Sequence, residues 1–177
     1  MLSLFGEEPC RATMITAQRA GLWHDMLAFI PAYSAFLALA AWAMRGADRR
    51  LALAAMAMLL LAGLLDEIEG VVLFRLLSGF PGAGGWFDAL FWTVRPKFLL
   101  LGLGEIAIAA LLVRGTWMAK IGAVPVAIGG AVSIWFLLAD PRNALMMQGH
   151  RWAWTALLLV AILGAIRHTL VMRPKQA

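Results

Sequence analysis

With 63% of its 177 residues hydrophobic and 14% charged, the chain is too apolar for an ordinary soluble domain, which carries about a quarter charged residues. The length admits about five membrane spans with short loops and leaves no stretch able to bury a separate soluble core. The formal charge of +5 reads as basic loops orienting a membrane chain, with the lipid bilayer and not nucleic acid as partner. Cys10, the single cysteine, excludes internal disulfides, CxxC redox pairs and cysteine-based zinc sites.

Residues 1–21 are mixed and polar, with Glu7, Glu8, Arg11 and Arg19. They suit a short surface helix or a disordered segment, and no small-residue cleavage site follows a short apolar core, so no secretory signal is expected. A first span is predicted over 22–44. Pro31 lies inside it, which calls for a kink or a locally opened backbone. His24, Ala28, Pro31, Ala35 and Ala38 recur at helical spacing, and such a stripe of small residues is expected to face the bundle, turning His24 inward.

After the basic turn Arg45–Arg50, a second span is predicted over 51–77. Its first fifteen residues are uncharged; then come Asp66, Glu67 and Glu69, three carboxylates in four residues. Glycines and a proline make 78–88 a loop. Trp86–Trp92 is short and aromatic, which predicts a separate interfacial or re-entrant helix near 86–94. Arg95-Pro96-Lys97 then opens a third span over 97–113, with proline suited to a first helical turn. Glu105 falls near its middle. A fourth span over 121–139 carries no ionisable residue, and a fifth covers 152–172, ending near Arg167 and His168. The fold class is therefore an all-α, polytopic membrane helix bundle of about five transmembrane helices plus a short interfacial helix, forming one domain over residues 1–177.

Five spans put the termini on opposite sides of the membrane. Arg45, Arg49, Arg50, Arg114, Lys120, Arg173 and Lys175 outnumber Arg11, Arg19, Arg142 and Arg151 when Arg75, Arg95 and Lys97 are set aside as flanking the membrane. The positive-inside rule then places the N-terminus out and the C-terminus in. Whichever way the chain is oriented, His24, Asp25, Asp66, Glu67, Glu69, Arg95, Lys97 and His150 fall toward one face, with Glu105 deeper.

Charge at membrane depth is costly and often functional. Asp66 and Glu69 lie about 60° apart on a helix and share a face, while Glu67 points elsewhere. Two carboxylates on one poorly solvated face cannot both ionise cheaply. The pair suits a proton carrier, a cation site or a general acid; it equally suits a structural pair neutralised by Arg95 or Lys97. His24 and Asp25 are candidates to join it, and Glu105 is either a packing hydrogen bond or part of a proton relay. Tyr33 either donates to a carboxylate or packs against another span. His150, which precedes Arg151-Trp152-Ala153-Trp154, reads as part of an interfacial anchor. A neutral imidazole at His24 with several carboxylates could bind a divalent metal, and His150 could add a second nitrogen. Neither HExxH nor a histidine pair on one helix is present, however, so no metal site is assigned, and the cofactor is unknown. GxSxG, SxxK and P-loop patterns are also missing. Most tryptophans fall near span ends, as an aromatic belt.

Three segments carry a resemblance: Asp25 with Phe29-Ile30-Pro31-Ala32-Tyr33, Ala62-Gly63-Leu64-Leu65-Asp66-Glu67-Ile68-Glu69, and the third span opened by Lys97. Their order resembles small bacterial integral membrane proteins of unassigned function with an intramembrane Asp-x-x-Glu pair. The resemblance covers about residues 22–113 and implies no activity. In that pattern an asparagine often follows the glutamate, where this chain has Gly70. Three functions stay open: a polar pocket near one membrane face that handles an ion, proton or small polar ligand; a non-catalytic subunit or assembly factor that joins a membrane partner or its own copies; and a membrane-embedded lipid-modifying enzyme.

Overall fold

The structure, a computed structural model, describes residues 10–79 and 85–171. The expected N-terminal surface segment through residue 9, the glycine-rich loop at 80–84 and the basic residues Arg173 and Lys175 lie outside the described residues. Five helices and no strand occur among the described residues: α1 Cys10–Ala43, α2 Arg49–Ser78, α3 Trp86–Leu112, α4 Trp117–Ala139 and α5 Ala144–Val171. Four of them, α1, α2, α4 and α5, are long and apolar enough to cross a membrane. Many large apolar side chains on these helices are exposed, as with Leu138 at 74%. In water such surfaces would drive aggregation; against lipid tails they cost nothing.

Several boundaries differ from the sequence reading. The first helix begins at Cys10, not near residue 22, so the polar N-terminal segment continues into the span. Trp86–Trp92 does not form a separate interfacial helix: α3 is continuous for 27 residues, with Pro96 inside it. Because α3 also carries Arg95, Lys97 and Glu105, it is not among the helices apolar enough to qualify as spans, which makes four such helices where five were expected. The last helix starts at Ala144, not near 152, since Asn143 caps it by accepting the Leu145 N–H at 3.0 Å. Asp48 does the same for α2, accepting from Leu51 N–H at 3.0 Å.

Pro31 does open the backbone. A π-helical turn, Asp25–Phe29, sits immediately before Ile30 and Pro31. Proline supplies no N–H to the preceding turn, and a wider turn accommodates the loss. The inward face of α1 is then Leu22, Ile30, Tyr33, Ser34, Leu37, Ala38 and Ala41. The small-residue stripe expected to face inward does not: His24, Ala28, Pro31 and Ala35 are exposed, and only Ala38 is buried. The inward face is set instead by what α2 offers it: Tyr33 bonds Asp66, and Ser34 meets Gly63.

The helices contribute to two compact units. The first contains the described residues up to Phe36 together with Leu60–Lys97. Here α1 and α2 run antiparallel: Arg19 bonds Ser78 at 3.3 Å, Trp23 lies 5.0 Å from Phe74, Met26 meets Gly70, and Ser34 meets Gly63. The second contains Leu37–Leu59 and the chain from Phe98 onward. Its tightest crossing is between α4 and α5. A Cβ at Gly129 would collide with the Gly149 carbonyl, and one at Gly149 with the Gly129 carbonyl. Only glycine allows that approach, and Ser133 Oγ secures it by donating to the Met146 carbonyl at 2.8 Å.

Candidate functional site

The first unit gathers part of the expected polar set. Asp66 and Glu69, one helical turn apart on α2, both face Lys97 from α3. Lys97 Nζ donates to Asp66 Oδ1 at 2.9 Å and to Glu69 Oε2. Tyr33 O–H, from α1, donates to Asp66 Oδ2 at 2.6 Å. Tyr33 therefore takes the donor role, one of its two readings. The side chains of Asp66 and Glu69 stay 20% and 17% exposed, and that of Lys97 only 6%. The ammonium is thus enclosed while the carboxylates keep a path to solvent or headgroups.

Other residues expected at this site lie elsewhere. Arg95 is exposed and stacks on the Phe91 ring at 4.4 Å, so it is not the counter-charge. It lies two positions before Lys97, about 200° around the helix, and so points well away from it. Glu67 is half-buried and makes no hydrogen bond or ion pair among the described residues. His24 and Asp25 are exposed and make none either, because the inward face of α1 passes through Leu22 and Ile30 instead.

Glu105 and His150 belong to the second unit and to a different cluster. Glu105 Oε1 lies 2.8 Å from His150 Nδ1 and accepts the Trp154 indole N–H at 2.7 Å. Glu105 and His150 side chains are each 1% exposed. Phe98 stacks on the imidazole at 5.5 Å between centroids. Glycines 102 and 130 let α3 and α4 come together there; a Cβ at Gly130 would stand 2.8 Å from the Gly102 carbonyl. Glu105 Oε2 and His150 Nε2 have no hydrogen-bond partner among the described residues.

His150 is therefore buried, not an interfacial anchor, and Trp154 is not free in the aromatic belt. The spacing of His150 and Trp154, four residues on one helical face, was a usable signal. Starting the helix at 152 concealed it, and the Asn143 cap would have revealed it. His24, in the same unit as Asp66 and Glu69, makes no bond to them. Among the described residues no three of His, Cys, Asp and Glu are grouped to hold a metal ion.

Long apolar helices that expose leucine and enclose mutually paired charges define a multi-pass integral membrane protein of the all-α class. No protein-family model, curated protein or solved structure matches the chain.

Proposed function

We propose that this membrane protein handles a proton, or a monovalent cation in its place, at Asp66 and Glu69. The observation that carries the reading is the charge count around Lys97. Two carboxylates contact one enclosed ammonium, which leaves one negative charge in excess when both are ionised. In a medium of low polarity that excess favours uptake of one proton or one small cation. The remaining exposure of both carboxylates supports exchange with one side of the membrane. Tyr33 and Lys97 hold Asp66 in place, leaving Glu69 as the group freer to exchange. Pairing with another chain is less favoured, since Lys97 of the same chain takes both carboxylates. An acid–base role in lipid modification would want His24 beside them, and His24 is exposed.

Proteoliposomes containing a trapped pH indicator test the proposal. The wild-type chain should dissipate an imposed proton gradient or take up protons with a monovalent cation. Asp66→Asn and Glu69→Gln should each abolish the flux. Full flux in both variants would overturn the reading.

The topology belongs to the same proposal. The 27 residues of α3 reach roughly 40 Å, beyond a hydrocarbon core of about 30 Å. Its buried charges, Lys97 and Glu105, are both paired. These facts favour α3 as a fifth span; the excess of basic loop residues on the side opposite the N-terminus then argues for the N-terminus outside and the C-terminus inside. Cys10 is exposed and is the single cysteine. A membrane-impermeant maleimide should label it in intact cells; labelling only after lysis would reverse the orientation.

A further inference from the structure

The N-terminal end of α4 and the C-terminal end of α5 enclose a cavity of about 500 Å³, within the second unit. Its apolar wall is Met118, Ala119, Val160 and Gly164; its polar wall is Thr116, Arg167 and His168. We propose that this cavity binds an anionic phospholipid, with its phosphate at Arg167 and an acyl chain along Val160 and Gly164.

Four observations point to that occupant, and none depends on the proton site. First, the cavity lies at the end of a helix long and apolar enough to cross a membrane, so its surroundings are lipid at the headgroup level. Second, Arg167 and His168 are exposed and make no side-chain bond among the described residues, which leaves their donors for a ligand. Third, Thr116 caps α4 by accepting the Ala119 N–H, and the positive end of that helix dipole adds to the attraction for a phosphate. Lys120 near the same helix start adds positive charge, whereas Arg114 there is already paired with Asp48. Fourth, a Cβ at Gly164 would meet nothing within 4 Å, so glycine leaves open space along the apolar wall instead of serving helix contact. One charged end and one apolar end in a single cavity match the two ends of a lipid. A free anion would use only the first.

The test uses the full-length chain in detergent, stripped of lipid and analysed by native mass spectrometry. Phosphatidylglycerol, phosphatidylcholine and inorganic phosphate are added separately. Phosphatidylglycerol should be retained in preference to phosphatidylcholine, and inorganic phosphate should not compete. Arg167→Gln should weaken phosphatidylglycerol retention about fivefold, the effect of one basic side chain near an anionic headgroup. Gly164→Leu, whose Cβ would meet nothing within 4 Å, places a bulky side chain on the apolar wall and should remove the bound lipid while the helix persists. Equal retention of both lipids, phosphate competing as well as phosphatidylglycerol, or wild-type retention in both variants would overturn the site.

Discussion

Two buried polar clusters in this chain meet the cost of polarity in an apolar medium by different means. Asp66, Glu69, Lys97 and Tyr33 combine opposite charges and keep their carboxylates partly exposed. Glu105 and His150 are closed from solvent, with Trp154 half-buried beside them, and the group holds a single carboxyl that bonds both rings. The first group sets two carboxylates against one ammonium, so its stability depends on the balance of charges. The second joins one carboxyl to an imidazole and an indole, so its stability depends chiefly on those hydrogen bonds. That difference is why proton or cation exchange is proposed only for the first, while the second ties α3 to α5.

Removing the central cation tests the contrast most severely. Lys97→Met leaves two carboxylates without their partner, and thermal unfolding in detergent should show a loss of about 3–5 kcal/mol. Adding Asp66→Asn and Glu69→Gln to that variant should restore most of it, because the penalty is electrostatic. No recovery would show that Lys97 acts through packing. Tyr33→Phe removes one hydrogen bond to a charged acceptor and should cost about 1.5–3 kcal/mol by the same measurement. Glu105→Gln keeps an oxygen to accept from His150 and Trp154, so about 1 kcal/mol is expected. A loss as large as that of Lys97→Met would mean the Glu105 cluster also relies on fixed charge, and the contrast would fail.

An exposed ion pair gives the lower end of the scale. Asp48 accepts the Leu51 N–H and pairs with Arg114 at 2.6 Å. The backbone hydrogen bond first, and Arg114 second, hold its carboxyl below the ordinary value of 3.8. A depressed folded value means that its contribution is complete above the ordinary value and fades as pH falls through the lowered one. Melting temperatures of wild type and Asp48→Ala should differ slightly at about pH 6 and converge under strong acid. A gap that widens in acid would contradict the assigned cause.

Much of the fold was legible. The apolar runs, basic turns and missing strand signals gave an all-helical membrane class, and Pro31 marked the place where α1 changes its winding. Asp66 and Glu69 announced their shared face by spacing. The break expected near residue 94 does not occur: Arg95-Pro96-Lys97 looks like a helix start in sequence, while in the fold α3 runs on through Pro96. The inward stripe of α1 differs from the expected one because small-residue spacing alone does not say which face meets α2; the contacts of Tyr33 with Asp66 and of Ser34 with Gly63 decide it.

The sequence alone determined that the chain is apolar enough for a membrane and where most helices run, since these follow from local composition and period. It also determined that Asp66 and Glu69 lie together, since helical geometry fixes residues three apart. Which cation they meet was decided only by tertiary structure: Lys97, not Arg95, because the packing of α3 against α2 turns one toward the carboxylates and leaves the other on Phe91. Tertiary structure likewise joined Glu105 to His150, 45 residues away, through glycine-lined approaches that no local pattern encodes.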